Sequence, residues 1–390
     1  MIARTFWLFI LIILLPDIYL YRRMVRPLAQ HRRWVAVVWW AQMLLMLAAT
    51  CCLALTRDFT PHPQWPLNVY LFILGVVTLP KVLLTLCDLA GRFLRHRCHV
   101  QRNWGVPVGL FLGVVLAVVT VYGSMWGFDK FEVRRVDYSS AELPEAFDGY
   151  RIALWSDAHV GNYIGSSAHV LSEAIDSINA LQPDAIFFLG DLQNVGPDEI
   201  EEQLPVLSRL TAPDGVYSIL GNHDYSKYQG GTREEKMANE ARTQDLQRQM
   251  GWRLLMNEHT LLRHRGDSIV LAGMEGNEEE GQDHGFAIWE KTTAGIPEGV
   301  FTIMLAHNPL HWRHYIIPHT QAQLTLSGHT HGGQVRLLGL TTTVFFPEDD
   351  GMYEREGKHL FVTRGLGALI PLRFNVTGEV VLLTLHRKSS

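Results

Sequence analysis

Cysteine is confined to the start of the chain: Cys51, Cys52, Cys87 and Cys98 are present, and residues 128–390 contain none. The later part therefore uses neither disulfides nor thiolate metal ligands, which permits an oxidising compartment without requiring one. Positive charge is outnumbered there. Residues 1–127 hold twelve Lys/Arg against three Asp/Glu, a formal +9; the whole chain is −5, so residues 128–390 carry −14. Nonspecific nucleic-acid binding needs a basic footprint, and this part lacks one. Internal repeats and low-complexity tracts are absent as well. At 390 residues there is room for two or more domains.

What the first part does have is apolar length. Four segments, roughly 2–21, 34–55, 67–90 and 105–127, each approach the ~20 residues that cross a hydrocarbon core. The first has a clean run only from Phe6 to Leu15 before Pro16 and Asp17. A signal peptide with Arg4 as its basic start is the alternative, but Pro16-Asp17-Ile18-Tyr19 offers no small-residue cleavage site, which favours an uncleaved span. Arginines cluster in 22–33 (Arg22, Arg23, Arg26, Arg32, Arg33) and in 91–104 (Arg92, Arg95, Arg97, Arg102), whereas 56–66 holds Arg57 beside Asp58. The positive-inside rule makes the two Arg-rich loops cytoplasmic. The last span then exits, and residues 128–390 lie on the non-cytoplasmic face of a plasma (inner) membrane. Lys81 inside the third span, with Asp88 seven residues on, is a functional candidate by position; a salt bridge or a snorkelling side chain is the plainer reading. Trp34, Trp65, Trp104 and Trp126 read as interfacial anchors.

The second part alternates strand and helix. An edge strand, Phe131 to Tyr138, is followed by strands at 150–155, 185–189, 216–220, 268–272, 300–305 and 322–326, with late strands at 359–363 and 379–385. Between them fall helical patterns at 167–181, 198–210 and 233–250. Such alternation predicts α/β layers. The organisation expected is a transmembrane domain (1–127), a juxtamembrane connector and edge strand (128–149), and a catalytic domain (150–390).

Five of these strands end in metal-type residues: Ser156-Asp157-Ala158-His159, Gly190-Asp191, Gly221-Asn222-His223-Asp224, Ala306-His307 and Ser327-Gly328-His329-Thr330-His331-Gly332-Gly333-Gln334. The carboxyl ends of strands are where α/β sheets gather their sites, and neutral imidazole is the commonest metal ligand near neutral pH. Asp157, His159, Asp191, Asn222, His307, His329 and His331 exceed what one ion uses, so two neighbouring ions with a shared carboxylate are expected. The sulfur-free O/N donor set suits Mn²⁺, Zn²⁺, Fe or Co. Two ions ~3.5–4 Å apart polarise a phosphoryl group and lower the pKa of a bridging water, the requirements of phosphate-ester hydrolysis.

The order Asp-x-His, Gly-Asp, Gly-Asn-His-Asp, His, Gly-His-x-His resembles the calcineurin-like metallophosphoesterase superfamily. With Thr363-Arg364-Gly365-Leu366-Gly367 and a terminal strand it resembles that superfamily's membrane-associated bacterial branch. The resemblance covers about residues 130–387. It implies a four-layer α-β-β-α sandwich of two mixed sheets, ahead of which the four apolar segments place an all-α transmembrane region of about four helices. By position it implies that Asp157, His159 and His331 hold one metal, that Asn222, His307 and His329 hold the second, and that Asp191 bridges. His223 would stabilise charge or protonate the leaving oxygen. The family pattern Gly-Asp-x-x-Asp reads here Gly190-Asp191-Leu192-Gln193-Asn194. Asn194 is expected to accept from His223 through its side-chain amide oxygen, without a carboxylate's charge, which weakens general-acid assistance; Asp224 is a possible substitute.

The function expected is a membrane-anchored, two-metal phosphoesterase acting by metal-bound hydroxide on a phosphate ester or pyrophosphate. Its partners would be the lipid bilayer and a phosphorylated small-molecule or lipid-linked envelope substrate, with no nucleic acid; the sequence does not give the oligomeric state. The rival readings are a metal-binding interaction module or a regulatory domain without turnover, and a transporter or receptor whose spans carry the function. Two further groups read more plainly as structure than as site: His311, His314 and His319 on a helix or loop, and the acidic stretch Glu275 to Asp283 as a solvated loop. Tyr225, Tyr228 and Gly230-Gly231 could form a lid.

Overall fold

The computed structural model describes residues 2–55, 64–98, 101–275, 285–341, 343 and 346–388. Arg57, Asp58 and, in the acidic stretch, Glu278, Glu279, Glu280 and Asp283 lie outside the described residues. The chain divides into two compact units, Met1–Met125 and Trp126–Ser390.

The first unit is helical. Among the described residues three helices are long and apolar enough to cross a membrane: Arg33–Leu55, Trp65–Arg97 and Gly105–Gly127. A fourth helix, Ile2–Leu20, precedes them and packs on Arg33–Leu55 and Leu79–Arg97. The last two spans approach closely because small residues repeat every fourth position. Gly105, Gly109 and Gly113 form one face of the last span, and a Cβ on Gly109 would press on Leu84 Cα and Cys87 Cβ. The buried charges sort themselves differently from their spacing. Lys81 donates to Asp17 Oδ1 of the first helix at 2.7 Å, touches Gln42 Oε1, and lies 4.4 Å over the Trp39 ring. Asp88 instead accepts from Tyr19 Oη and Asn103 Nδ2, both at 2.6 Å, and from Arg92 Nε at 3.2 Å. Lys81 and Asp88 therefore do not pair with each other: Lys81 pairs with another helix, and Asp88 is held by Tyr19, by Asn103 and, along its own helix, by Arg92. Trp34, Trp65 and Trp104 are exposed, as anchors at a membrane–water boundary would be.

The second unit is a pair of six-stranded mixed sheets. Its strands are β1 (Phe131–Ser140), β2 (Arg151–Trp155), β3 (Ala185–Phe188), β4 (Val216–Ser218), β5 (Arg253–Leu254), β6 (Glu258–His264), β7 (Asp267–Met274), β8 (Thr302–Ala306), β9 (Leu324–Ser327), a small ribbon β10 (Arg336–Leu337) and β11 (Leu340–Thr341), β12 (Gly351–Arg355), β13 (Lys358–Val362) and β14 (Gly378–Arg387). One sheet runs β1-β14-β2-β3-β4-β5 and the other β12-β13-β9-β8-β7-β6. β2 to β5 are mutually parallel, and β14 runs antiparallel to β2. In the other sheet β7, β8, β9 and β13 are parallel, and β6 and β12 are antiparallel edges.

Four layers follow from where the apolar side chains point. Ile152, Leu154, Phe187 and Leu189 meet Leu271, Ile303, Leu305 and Leu326 between the sheets. On the outer face of the first sheet, Trp155 and Phe188 pack with Val170, Leu171, Ala174, Ile175 and Ile178 of the helix Ala168–Ala180, whose 3–4 spacing makes one apolar stripe. On the outer face of the second, Met304 and Ala306 pack with Trp312, Ile316 and Ile317, and with Trp289 of the helix Gly285–Thr293. The polar helix Arg233–Gln249 starts on a capping box between Thr232 and Glu235. Both sheets release their chemistry-bearing turns at one edge, after β2, β3, β4, β8 and β9.

Candidate metal centre

The turn after β2 is short because it is stitched to the turn after β3. Asp157 N donates to Gly190 O at 2.9 Å, and His159 N to Asp191 O at 3.2 Å. Within the second sheet Gly328 N donates to His307 O at 3.0 Å, and across to the first sheet His307 Nδ1 faces Leu189 O at 2.8 Å. Glycine is required where motif loops touch. A Cβ on Gly328 would overlap Ser156 Oγ and Asp157 Oδ2, and one on Gly221 would overlap Asp191 Oδ1. Asp157, His159, Asp191, His329 and His331 all adopt positive φ, between 46° and 73°. Left-handed backbone at non-glycine residues costs roughly 1–2 kcal/mol each, and such strain concentrates where function fixes geometry.

These turns bring the predicted residues into two clusters. Asp157, His159 and His331 offer ligand atoms within 4.8 Å of one another, and so do Asp191, His307 and His329. His159 Nε2 lies 3.3 Å from His331 Nε2, which in turn lies 3.5 Å from Asp157 Oδ1. His307 Nε2 lies 3.2 Å from both His329 Nδ1 and Asp191 Oδ2. Asp191 Oδ2 is also 3.9 Å from His159 Nε2, so one carboxylate oxygen stands between the clusters. Asn222 follows Gly221 in the turn after β4; its Nδ2 donates to Tyr228 Oη at 3.4 Å, and its buried Oδ1 has no hydrogen-bond partner among the described residues.

The donor set fits a pair of divalent cations. Leu189 O can only accept, so His307 carries its hydrogen on Nδ1 and turns a lone pair on Nε2 inward, as a ligating imidazole must. Imidazole nitrogens face one another with buried carboxylates beside them, a packing that calls for positive charge between the donors. The electrostatics agree for His159 and His331, which burial keeps neutral, whereas His307 beside Asp191 and Asp157 favours a proton on Nε2 that a bound cation would displace. Burial and then Arg373 push His331 down to about 3, and burial with His223 and His331 drives His159 well below its usual value. Burial opposes protonation of His307 too, but Asp191 and Asp157 lift it to about 10. Burial would raise Asp191, yet His307 and His223 hold it well below the usual carboxylate range. Burial raises Asp157.

His223 is not in either cluster. Its ring stands edge-on to His159, centroids 4.8 Å apart, and its Nδ1 lies 2.7 Å from the backbone carbonyl of Asn194. The expected side-chain amide contact is thus replaced by a main-chain one. Asn194 N donates to Glu199 Oε2 at 2.5 Å and Val195 N to Glu199 Oε1 at 3.0 Å, which sets that carbonyl's direction. Asp224 does not stand in for a carboxylate on His223. Its oxygens accept from the N–H groups of Asp191, Leu192, Gln193 and Gly221 at 2.8–3.3 Å, and burial, then Asp191, lift its acid to about 7. Tyr228 stacks on His223 at 4.4 Å, whereas Tyr225 is buried with Leu220 and Leu254 and is no lid. His311, His314 and His319 fall outside both clusters; His319 stacks on Trp289.

Sequence reasoning passed over the residues that hold the site from behind. Arg373, fully buried, donates to the carbonyls of Arg364 (2.8 Å), Gly365 (3.1 Å) and Gly367 (Nε, 3.1 Å), and reaches His331 O at 3.5 Å. Leu366 N and Gly367 N donate to Ser156 O and Asp157 O, both at 2.9 Å, so this loop is the floor beneath Asp157. Glu379, also buried, accepts from Thr363 Oγ1 at 2.8 Å and Arg364 Nε at 2.9 Å. An arginine between Leu372 and Phe374 was the one available signal.

Two family models match the chain. One, described as "Probable Calcineurin-like phosphoesterase, transmembrane domain", matches residues 3–128; the other, "Calcineurin-like phosphoesterase", matches residues 150–333. The "Uncharacterized metallophosphoesterase YkuE" of Bacillus subtilis is 31% identical over 299 residues, covering 71% of this chain and 95% of that protein. The "Transmembrane protein with metallophosphoesterase domain" of Danio rerio is 28% identical over 399 residues, 96% of this chain and 87% of its own. The "Uncharacterized metallophosphoesterase Cj0846" of Campylobacter jejuni is 26% identical over 393 residues, 97% of each. The last two of these alignments run over nearly the whole chain, the helical region as well as the sandwich.

Proposed function

The chain belongs to the calcineurin-like metallophosphoesterases, with a transmembrane domain ahead of the catalytic fold, and on that premise we propose that it is a two-metal phosphoesterase anchored in the plasma (inner) membrane. Asp157, His159 and His331 would hold one divalent ion and Asn222, His307 and His329 the other, with Asp191 common to both. The observation that carries this reading is the position of Asp191 Oδ2, 3.9 Å from His159 Nε2 and 3.2 Å from His307 Nε2. Ions bound there polarise the phosphoryl group and make a water more acidic.

The chain's own residues supply the rest. The Asn194 carbonyl can only accept, so His223 keeps its hydrogen on Nδ1 and leaves Nε2 to take up a proton and deliver it to the departing oxygen. Tyr228, stacked on that ring, restrains its tilt and walls one side of the site. The Arg-rich segments 22–33 and 91–104 favour a catalytic domain on the non-cytoplasmic side. Its substrate would be a phosphate ester or pyrophosphate, and the transmembrane anchor favours a lipid-linked or envelope one.

The test uses the full-length protein, stripped with chelator and reloaded with Mn²⁺, Zn²⁺ or Fe²⁺ in turn. Hydrolysis of an aryl monoester, an aryl diester and a lipid-linked pyrophosphate is followed beside Asp191→Asn. Metal-dependent turnover lost in the variant supports the enzyme. Two metals bound with no turnover on any substrate would favour a binding module instead.

A further inference from the structure

The entry of the chain into the sandwich and the metal centre share one edge. β1 begins with Phe131 opposite Gly378, the first residue of β14, and three residues later Val381 of β14 faces Leu154 near the carboxyl end of β2. β2 then delivers Asp157 and His159. Gly127, the last residue of a membrane span, precedes Phe131 by four positions, a reach of at most about 14 Å of extended chain. The intervening stub is fastened to this edge: Phe128 stacks on Tyr163 at 5.4 Å, and Asp129 accepts from Ser167 Oγ at 2.6 Å. Asn162, beside Tyr163, donates to the carbonyls of Ala368 and Leu369 at 2.7 and 3.2 Å.

Two loops on this edge present apolar side chains to solvent. Leu337, Leu338 and Leu340 sit on the β10–β11 ribbon, with Leu338 95% and Leu340 77% exposed, and Leu369 and Ile370 stand out from the neighbouring loop. Gln334 Nε2 joins the two by donating to Ile370 O and Leu372 O, both at 3.0 Å. The ribbon starts five residues after His331, and Thr341 Oγ1 returns to Gly332 O at 3.4 Å. Single exposed leucines are ordinary on a soluble surface, but a group on adjoining loops marks an interaction site.

We propose that these five side chains seat in the interface of the lipid bilayer, and that the metal centre thereby takes a phosphate carried by a membrane amphiphile. The substrate class follows: a phosphate ester or pyrophosphate whose leaving or retained group is a lipid. The bilayer is the occupant because β1 enters the sandwich on this edge only four residues after Gly127, the end of the last membrane span. A tip of leucines on a two-stranded ribbon can enter the headgroup region, because the ribbon pairs its own Arg336 and Leu337 with Thr341 and Leu340 and the turn at Leu338-Gly339 stays within reach of interfacial water. In the reaction, water's oxygen forms the new bond to phosphorus, the phosphorus–oxygen bond to the leaving group breaks, and a proton ends on the departing oxygen. This assignment rests on the phosphoesterase reading above; the docking does not.

The experiment keeps the two apart. Full-length protein with Cys51, Cys52, Cys87 and Cys98 replaced by Ser receives Leu338→Cys, labelled with an environment-sensitive fluorophore, in nanodiscs containing brominated lipid. Quenching at 338, with none at Leu261→Cys on β6, is the expected result; equal quenching at both or none at 338 overturns the docking. In parallel, Leu338→Asp/Leu340→Asp is expected to lower the ratio of turnover on a disc-borne lipid phosphoester to turnover on a water-soluble aryl diester at least tenfold. An unchanged ratio overturns the substrate class. Quenching at 338 in a metal-loaded protein that hydrolyses neither ester would keep the docking and sink the phosphoesterase reading.

Discussion

His223 is oriented by the main chain of Asn194: its Nδ1 lies 2.7 Å from that residue's backbone carbonyl. Any residue at 194 supplies that acceptor, so the side chain found there does not set the imidazole's tautomer. Asn194→Ala is therefore expected to cost no more than a few-fold in kcat. His223→Ala should cost about 10²–10⁴-fold, the usual worth of a positioned proton donor, and more on an alkyl ester than on an aryl ester with a good leaving group. If Asn194→Ala falls as far as His223→Ala on the alkyl ester, the main-chain account is wrong.

Glu199 sets that carbonyl by accepting from the N–H groups of Asn194 and Val195. Glu199→Gln keeps the shape and one acceptor but converts the other into a donor facing an N–H. The expectation is a fall in kcat of about tenfold with KM nearly unchanged, as when a group acting on the transition state is displaced. Equal losses in Glu199→Gln and Glu199→Ala, both traced by thermal melting to unfolding, would reduce Glu199 to a fold residue.

These two cases show which parts of the site were legible. Strand ends followed by Asp, His or Asn carry their meaning locally, because a parallel strand must release its turn at the carboxyl edge. Asp157, Asp191 and His329 could thus be picked out and the sandwich anticipated. Interactions made by backbone atoms leave no residue-type signature, so the role of Asn194 was read from its side chain. Arg373 was hidden for a related reason: its partners are carbonyls of a turn that only the fold makes converge. β5, β6 and β12 escaped because two are polar edges and the third is two residues long. The pairing of Lys81 with Asp17 spans 64 positions, beyond any helical periodicity.

Metal removal should be visible in stability as well as in turnover. Five of the seven proposed ligands hold left-handed backbone, and buried carboxylates stand beside imidazoles whose inward nitrogens face one another. A cation present at 100 times its dissociation constant stabilises a fold by about 2.7 kcal/mol, which for a domain of this size is a Tm shift of about 5–10 °C. Chelation is expected to lower Tm by that amount, with recovery on adding Mn²⁺ or Zn²⁺. Asp191→Asn should bind fewer than two ions per chain by elemental analysis and recover less. Identical melting with and without chelator, on protein shown to have held metal, counts against the site as built.

Arg373 offers a test of the floor beneath Asp157. Removing the guanidinium leaves buried carbonyls of Arg364, Gly365 and Gly367 unsatisfied, at about 1–3 kcal/mol for each group that water does not reach. Arg373→Ala should lower Tm markedly and weaken metal binding at the Asp157 cluster more than at the His307 cluster, because Leu366 and Gly367 anchor Ser156 and Asp157. Arg373→Lys, which fills the space and keeps one cation, should recover part of both. Uniform weakening at both clusters would mean that the loop supports the fold and not this ligand in particular.

In the helical unit the Lys81–Asp17 pair can be separated into charge and packing. Asp17 Oδ1 accepts from Lys81 at 2.7 Å, both side chains are largely buried, and Trp39 closes over the ammonium at 4.4 Å. Removing one partner of a buried pair strands the other and costs about 3–5 kcal/mol, whereas replacing both with apolar groups of similar volume is often neutral. Lys81→Met and Asp17→Leu are each expected to lower the Tm of detergent-solubilised protein. The double variant should melt above either single one, with ester turnover intact. That pattern identifies a staple between the first and third helical segments. A double variant as stable as the wild type but without turnover would instead give the pair a part in the reaction, the outcome that intramembrane charge otherwise leads one to expect.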